Sequence, residues 1–481
     1  MAHTRTQDAM MSLFRCAKLD PSLSAFVRSV HFSDHLVSDE YKLFEVEPEL
    51  ADELSGPGSP RTIELKDEPG KSGFGRVFAC ATDQTYSVVE TETSNTLLLI
   101  PDGSVLLEKP RELEEPKPAV VHAIKTSYLE LQPCIAPSLR LLKQKLLSSE
   151  YHGPFEDECD DCDENSAIHS RSSKFTRSEL GVELPCSKNE LCYAFARLRV
   201  FEIEGFMRIV DPDYLVEVIR DIFSCADEHA WDWRQQGFSV RSLVENLQKQ
   251  YSTTILNQVI GLYFYPRNVT PSCSSLTDLI VFPINSRICQ LIGEQLLSVT
   301  NSFDLNDFKA VWKATVPSGL RPKLRKQLTC AGRAYCGTPG SSNTNRTDHR
   351  HPLFRTISLL RSEDLPDDTI ELRLQALFER CSAWPELELA SFLTDLVIPP
   401  DTTCKHYSDP VMGPLMFPCS INDSDFEYSD EIESEFPEST ASDSDSPKQA
   451  SAAVVTILNR LCRATTTTDQ GRIYTQKYGN T

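Results

Sequence analysis

The stretch SKNELCYAFARLRVFEIEGFMRIVDP, residues 187–212, changes from a helical to a strand-like hydrophobic period without a break. Ser187 and Glu190 have the spacing of a capping box, in which two side chains satisfy backbone N–H groups, so a helix is predicted to begin here. The apolar residues that follow share one helical face: Leu191, Phe195 and Leu198. Gly205 then turns the chain into a strand, and the closing Asp-Pro pair starts another helix.

A similar order of two short helices and a strand occurs four times along the chain. The first copy starts with a capping box at Thr176 and Glu179, and further copies follow at 238–283, at 305–360 and, after a linking helix, from 386 onward. Two short helices followed by a strand hairpin are the core of a winged helix, so the pattern predicts four such units. Helical repeats of other kinds produce similar periodicity, and this alternative stays open.

The first 134 residues differ, because their apolar residues lie in short β-branched or aromatic runs that Gly, Pro and Asp interrupt. The predicted strands are 41–47, 61–66, 75–81, 85–92, 95–101 and 120–134. Several short strands at this spacing predict an antiparallel barrel or sandwich. The predicted fold class is therefore α+β, an N-terminal antiparallel β-barrel-like domain followed by a tandem array of winged-helix units.

The changes in pattern also predict the domain boundaries. A β-rich subunit-assembly domain occupies 1–134, and a helix with an acidic linker occupies 135–170. The remaining predicted segments are a first helix-helix-strand unit at 171–211, a winged-helix unit at 212–283, a winged-helix unit with a basic segment at 284–365, and a C-terminal winged helix at 366–481 interrupted by a disordered acidic insert at 400–448.

The insert carries ten acidic and no basic residues between Asp423 and Asp445. Such a composition buries too little apolar area to fold. Its Ser-Asp and Ser-Glu pairs resemble substrates of acidophilic kinases, but a passive solvated loop is the simpler explanation.

Composition limits the class of protein. A length of 481 residues suggests about three domains. The net charge of −22 argues against a protein that binds nucleic acid over its whole surface. The N-terminus lacks the apolar run of a signal peptide, and the sixteen cysteines are scattered, so we expect reduced thiols in an intracellular, soluble protein. No apolar run reaches the length of a membrane span, so no membrane partner is expected.

The sequence GKSGFGRVFACATD, residues 70–83, resembles the glycine-rich loop of a protein kinase. The candidate lysine of a kinase, Lys125, lies 48 residues beyond Val77, and the chain has neither an H-R-D nor a D-F-G motif. A phosphate-binding P-loop is also excluded, because Leu65 stands where that motif needs glycine. We interpret the glycines as a hairpin loop, and we predict no catalytic residues and no cofactor.

Cys159 and Cys162 have the C-x-x-C spacing of a zinc site, flanked by His152 and His169. No second C-x-x-C pair exists, and the surrounding residues are acidic. A solvated linker explains the segment better than a zinc knuckle, so no metal site is predicted.

Basic residues are concentrated in two windows of this acidic chain, as a phosphate-binding face requires. The candidate DNA-binding residues of the first window are Arg321, Lys323, Arg325 and Lys326. Those of the second are Arg460, Arg463, Arg472 and Lys477, on a candidate recognition helix and wing. A merely solvated basic face is the alternative.

The stretch ETSNTLLLIPDG, residues 92–103, is apolar on both faces of a predicted strand. A strand of this kind must be covered on both sides, either by the core of its own domain or by a partner chain. The candidate partner-binding residues are Leu97, Leu98, Leu99 and Ile100.

The order of these segments resembles the "defective in sister chromatid cohesion" family, accessory subunits of the alternative, replication-factor-C-like clamp loader. The segments that carry the resemblance are ETSNTLLLIPDG, YHGP at 151–154, YAFARLRVFEIEGFMRIVD at 193–211 and FDLNDFKAVWKATVPSGL at 303–320. The family is described with three winged helices where the pattern here predicts four. The acidic linker and insert are also longer than expected, which leaves the boundaries of the first unit open.

The resemblance implies a non-enzymatic subunit of a nuclear complex that loads the sliding clamp PCNA in DNA replication and sister chromatid cohesion. It implies that the β-domain joins a small partner subunit and the tail of the large ATPase subunit. It also implies that the winged helices contact single- and double-stranded DNA and DNA polymerase epsilon. Any association with PCNA is then indirect. The rival hypothesis is an independent winged-helix transcription regulator, and a kinase-like nucleotide binder is a remote alternative.

We predict that the purified chain binds no ATP, because the parts that hold metal and phosphate in a kinase are missing. Isothermal titration calorimetry with ATP and Mg²⁺ measures this directly, with Lys125→Ala as the matched variant. Saturable ATP binding that disappears in Lys125→Ala would contradict the prediction.

Overall fold

A computed structural model describes residues 7–18, 30–55, 62–68, 75–101, 119–134, 139–154, 174–266, 279–300, 302–337, 356–398, 405–409, 413–417, 450–467 and 471–477. Helices and several small sheets make up this part of the chain, so the α+β class is confirmed. Contacts divide the chain into two compact units, Met1–Pro60 with Ser87–Gln132, and Arg61–Tyr86 with Pro133–Thr481. The predicted assembly domain at 1–134 is therefore shared between the two units.

The N-terminal part begins with helices and short strands. Its elements are α1 (Gln7–Cys16), β1 (Val30–Phe32), β2 (Phe44–Glu45), α2 (Pro48–Ser55), β3 (Glu64–Asp67), β4 (Val77–Cys80), β5 (Thr85–Leu99), β6 (Ala119–Val121) and β7 (Ala123–Cys134). The strands β5 and β7 are neighbours in the first unit, and β7 also pairs with β2.

Two pairings in the first unit correct the prediction of an antiparallel domain. The strands β1 and β6 are parallel, with Val30 opposite Ala119, and β2 and β7 are parallel, with Phe44 opposite Leu129. Each pair joins strands far apart in sequence, and a long connection permits the parallel direction that a hairpin forbids. The prediction was also wrong in placing a break near Thr93, because 85–92 and 95–101 lie largely on the single strand β5.

The loop that resembles a kinase motif connects β3 to β4, which pair in antiparallel register with Glu64 opposite Cys80. The hairpin interpretation is thus confirmed, although residues 69–74 themselves lie outside the described part. Next to the loop, the Glu68 N–H donates to the Arg76 carbonyl at 2.9 Å.

The rest of the second unit contains four repeats of a similar order of elements, with additional elements in the second and fourth repeats. The first repeat contains α3 (Leu139–Leu147), β8 (Phe175–Thr176), α4 (Arg177–Glu183), α5 (Lys188–Leu198), β9 (Val200–Ile203) and β10 (Phe206–Ile209). The second contains α6 (Pro212–Glu228), α7 (Trp233–Gln236), β11 (Phe238–Ser239), α8 (Val240–Leu247), α9 (Thr253–Tyr263), β12 (Phe264–Pro266) and β13 (Ile280–Pro283).

The third repeat keeps this order, whereas the fourth has an additional helix and an additional strand pair before its closing hairpin. The third contains α10 (Asn285–Val299), β14 (Phe303–Asp304), α11 (Leu305–Thr315), α12 (Leu324–Gln327), β15 (Ala334–Gly337) and β16 (Thr356–Leu359). The fourth contains α13 (Ile370–Arg380), β17 (Ala383–Pro385), α14 (Glu386–Ser391), α15 (Thr394–Val397), β18 (Lys405–Asp409), β19 (Gly413–Phe417), α16 (Ala452–Leu461), β20 (Cys462–Thr467) and β21 (Gly471–Gln476).

Each repeat closes on a three-stranded antiparallel sheet in which the last strand lies between the other two. The strand orders are β8-β10-β9, β11-β13-β12, β14-β16-β15 and β17-β21-β20. In the first repeat the hairpin turns at Glu204 and Gly205, both with positive φ, as predicted for Gly205. Both predicted capping boxes of this repeat are present, at Thr176 with Glu179 and at Ser187 with Glu190.

Within the predicted disordered insert, β18 and β19 pair in antiparallel register, with Lys405 opposite Phe417. The acidic run from Asp423 to Asp445 lies outside the described residues. The fourth repeat is therefore assembled from two stretches of chain on either side of the insert, and β21 joins them by pairing with both β17 and β20.

The hairpin β3–β4 and the first residue of β5 are fixed on the first repeat by polar contacts. Lys66 Nζ donates to the Gly181 carbonyl at 2.6 Å, at the C-terminal end of α4. The buried Thr85 hydroxyl donates to Glu190 at 2.5 Å and accepts from the Ser187 N–H at 2.9 Å. The capping box of α5 thus holds a residue that lies about a hundred positions earlier in the chain.

The second and third repeats share one hydrophobic core, which includes Phe223, Phe264, Ile292 and Trp312. The fourth repeat has a separate core around Trp384 and the first has another around α3. Burial of apolar area at about 25 cal/mol per Å² makes these cores the main source of stability.

A buried ionic network links the repeats, and we call it the junction cluster. Glu294 on α10 accepts from Arg199 at 2.9 Å and from Arg361 at 3.2 Å. Glu363 pairs with Arg333, and Lys143 contacts Asp364 at 2.5 Å. Burial alone raises the pKa of Glu294 and of Glu363, but the neighbouring cations outweigh it and hold the pKa of both carboxyl groups below the ordinary value.

We predict that Glu190→Ala destabilises the protein far more than Glu179→Ala, although both residues close capping boxes. Glu179 is exposed, so its loss costs about 1 kcal/mol. Loss of the buried Glu190 leaves the Thr85 hydroxyl without its acceptor in the protein interior, and each unpaired buried group costs about 1–3 kcal/mol. Urea unfolding followed by tryptophan fluorescence measures both variants, and equal losses would contradict the structural role given to Thr85.

Candidate interaction surfaces

The helix that precedes the closing hairpin is accessible to different degrees in the four repeats. In α9 seven of eleven residues are buried, and Gln258 bonds both the N–H and the carbonyl of Glu202 on β9 at 2.8 Å. The start of α5 is covered by the turn between β4 and β5, since the Asn189 side chain donates to Asp83 at 2.5 Å. In α12, which has only four residues, Gln327 is buried.

The helix α16 of the fourth repeat is different, because only Val454 and Leu458 are buried. Its exposed polar residues are Thr456, Asn459 and Arg460, followed by Arg463 on β20. Of the four helices at this position, α16 is thus the one that presents a continuous polar side to solvent. A helix of this kind fits a nucleic-acid groove in shape and in polarity.

The four basic candidates of the last repeat do not all lie on one face. The register pairs Arg463 with Thr475 and Thr466 with Arg472, so Arg463 and Arg472 point to opposite faces of the hairpin. Lys477 Nζ donates to the Arg460 carbonyl at 3.0 Å at the end of α16. The structure therefore brings Arg460 and Lys477 together near Arg463 and separates Arg472 from them.

Arg472 contacts a carboxylate instead of being free for a ligand. Its Nη1 lies 3.3 Å from Glu386 at the start of α14, and the Tyr474 hydroxyl contacts the same carboxylate at 3.3 Å. The Tyr474 hydroxyl also lies 3.0 Å from Asn459 Oδ1 on α16. Glu386 reduces the positive charge on this side of the hairpin.

The first basic window is divided by burial. Arg321 and Arg325 are exposed, whereas Lys323 and Lys326 are half-buried. The Lys323 N–H donates to Gln327 at 2.7 Å, which fixes the backbone of this loop. Arg333, the next basic residue, is buried in the junction cluster and unavailable to a ligand at the surface.

The candidate partner-binding strand is apolar and accessible. Leu97 and Leu98 are 37% and 47% exposed, and Leu99 and Ile100 are half-buried. The strand β5 is not an edge strand, because the strand order of its sheet is β2-β7-β5-β4-β3. Further exposed apolar residues of the same unit are Val30, Phe32, Leu36 and Phe44. An accessible apolar strand of this kind is typical of a surface that a partner covers.

The described residues contain no cluster of three or more metal-binding side chains. His152 is exposed and lies 3.2 Å from Asp211, while Cys159, Cys162 and His169 lie outside the described part. Lys125 lies on β7. None of the described helices has the length and apolar content of a membrane span.

Comparison with known families identifies a relationship that covers most of the chain. The family described as "Sister chromatid cohesion protein Dcc1" matches residues 41–393. The chain belongs to this family. Membership supports a role in sister chromatid cohesion and confirms the resemblance inferred from the sequence.

Individual members of the family are similar to the chain over most of their length. The "Sister chromatid cohesion protein DCC1" of Xenopus laevis is 26% identical over 399 residues, which is 82% of this chain and 91% of the relative. The human protein of the same name is 24% identical, with coverage of 82% and 91%. A "Probable sister chromatid cohesion protein DCC1" of Dictyostelium discoideum is 21% identical, with coverage of 79% and 92%.

The family match ends inside the fourth repeat. Residue 393 precedes α15, so α16, β20 and β21 all lie beyond the matched residues. Sequence reasoning located the basic side chains of α16 but not Glu386, whose contact with Arg472 depends on the packing of α14 against the hairpin. The sequence did contain one signal for Glu386: it directly follows Pro385 at the start of a helix, where an acidic side chain is favoured.

Proposed function

We propose that the chain is a non-catalytic subunit of the alternative clamp loader, acting in the nucleus in DNA replication and sister chromatid cohesion. Membership of the Dcc1 family is the observation that carries the proposal. The N-terminal unit joins the other loader subunits, namely a small partner subunit and the tail of the large ATPase subunit. The repeats contact DNA and DNA polymerase epsilon, and PCNA is reached through the other subunits.

The four repeats are proposed to be winged helices. A helix, a short strand, two helices and a two-stranded hairpin, with the last strand central in the sheet, is the order typical of that fold. The hairpin β20–β21 is then the wing of the fourth repeat, and α16 is its recognition helix. The tight contacts of α5 and α9 favour a structural role for the earlier units.

DNA contact is proposed for the fourth repeat, through Arg460, Arg463 and Lys477. These side chains are exposed, and they lie on a chain whose net charge is otherwise −22. Cationic side chains that meet phosphates bind without strong sequence preference and lose affinity as salt rises. Arg321 and Arg325 are a second basic surface, exposed on the third repeat.

An independent winged-helix transcription regulator is the rival proposal. A regulator seldom needs an N-terminal unit that exposes Leu97, Leu98, Val30 and Phe32 at once, which favours the scaffold. Co-purification with loader subunits separates the two proposals, because a regulator would bind DNA without them.

We predict that Arg460→Ala with Arg463→Ala weakens DNA binding and lowers the salt slope by about two units, because each lost phosphate contact removes about one. Fluorescence anisotropy with single- and double-stranded oligonucleotides over a salt series measures both quantities. Arg472→Ala is the matched control, since Arg472 is on the opposite face of the hairpin and contacts Glu386. If the double variant retains the affinity and the slope of the unaltered protein, the fourth repeat is not a DNA surface.

We predict that Leu97→Asp with Leu98→Asp abolishes assembly with the small partner subunit and the large-subunit tail. A buried aspartate in an apolar interface loses hydration without gaining a partner. Co-expression followed by size-exclusion chromatography measures assembly. Val182→Asp is the control, because Val182 is 75% exposed on α4 in the second unit. Normal assembly of the double variant, with unaltered stoichiometry, would exclude this strand as the interface.

A further inference from the structure

A carboxylate is fixed between α16 and the closing hairpin of the fourth repeat. Glu386, at the start of α14, contacts Nη1 of Arg472 and the hydroxyl of Tyr474, each at 3.3 Å. Tyr474 is fully buried, and its hydroxyl also lies 3.0 Å from Asn459 Oδ1 on α16. Contacts with β21 and, through Tyr474, with α16 therefore determine where the carboxylate of Glu386 lies.

The ion pair between Glu386 and Arg472 is accessible from solvent. The two side chains are 26% and 45% exposed, and exposed pairs of this kind contribute little to stability. A phosphate that approaches Arg472 from solvent also meets the carboxylate of Glu386, and the two negative charges repel each other. The pair therefore influences which ligands reach Arg472 more than it influences folding.

The other basic candidates of the fourth repeat are not paired in this way. Within the described part of the chain, neither Arg460 nor Arg463 contacts a carboxylate, and both side chains are exposed. Lys477 Nζ donates to a neutral group, the Arg460 carbonyl, at 3.0 Å. Among the four candidate cations of this repeat, Arg472 is thus distinguished by a carboxylate that lies directly beside it.

We infer that Glu386 is a specificity-determining residue: its carboxylate competes with nucleic-acid phosphate for Arg472. DNA contact is thereby limited to the side of the fourth repeat that carries Arg460, Arg463 and Lys477. The inference rests on the DNA contact proposed for this repeat. A like charge placed against an alternative mode of binding excludes that mode without strengthening the correct one. Glu386 thus gives the hairpin one DNA-facing side, although basic residues lie on both of its faces.

Fluorescence anisotropy of the full chain with a double-stranded oligonucleotide over a salt series tests the role of Glu386. Glu386→Gln removes the charge and keeps the size of the side chain. We expect DNA affinity to rise about fivefold at low salt and the salt slope to become steeper by about one unit, because Arg472 then contacts one further phosphate. The midpoint of thermal unfolding checks that the variant is folded.

A double-mutant cycle shows whether Glu386 acts through Arg472. In the unaltered protein, Arg472→Ala has little effect on DNA binding, because Glu386 already occupies the guanidinium. In the Glu386→Gln background, we expect Arg472→Ala to abolish the gain in affinity and in salt slope. Glu371→Gln is the matched control, since Glu371 is exposed on α13 of the same repeat. This control removes one negative charge without releasing Arg472, so the salt slope stays unchanged.

The outcomes separate this inference from the proposed function. A gain in Glu386→Gln that disappears in the double variant supports the inference. If the unaltered protein binds DNA and Glu386→Gln binds it equally, or if the gain persists without Arg472, the inference is overturned while the proposed DNA contact stands. If neither the unaltered protein nor Glu386→Gln binds the oligonucleotide, the proposed DNA contact is overturned, and the inference falls with it.

Discussion

The position of Glu294 is the constraint on which the arrangement of the repeats depends. This buried carboxylate lies on α10, yet its partners Arg199 and Arg361 come from the first repeat and from the connection to the fourth. Removal of one member of a buried pair leaves an uncompensated charge, which costs more than the pair contributes as a whole. The network therefore penalises any arrangement in which the repeats separate, even though their cores around Trp384 and α3 are distinct.

Arg199 illustrates how local conformation serves this network. It follows α5 in the left-handed region, at φ 56, where most residues other than glycine are disfavoured. Its side chain contacts Glu294 at 2.9 Å. A glycine at this position would relieve the backbone strain but would remove the charged side chain. The ion pair with Glu294 therefore requires the strained arginine. Glu190 likewise has two structural roles, because it caps α5 and also accepts a hydrogen bond from the Thr85 hydroxyl.

Packing also gives the helices before the closing hairpins different exposure to solvent. The helix α9 is buried between neighbouring elements, and α5 is covered at its start, whereas α16 keeps its polar side in solvent. Of these three helices, α16 is therefore the most accessible. The basic residues Arg463 and Arg472 are both exposed on one hairpin, but Arg472 contacts the carboxylate of Glu386.

The sequence by itself determined the local elements: the capping boxes at Thr176 and Ser187, the turn at Gly205, the hairpin around the glycine loop and the α+β class. These elements depend on hydrogen bonds and backbone angles among residues a few positions apart, and the types of those neighbouring residues can be read from the sequence. Only the tertiary structure decided that β1 pairs in parallel with β6 and β2 with β7. It also decided that Arg333 is buried and that Arg463 and Arg472 point to opposite faces of their hairpin. Each of these is set by residues distant in the chain, because pairing direction, burial and charge compensation arise only when separate segments pack together.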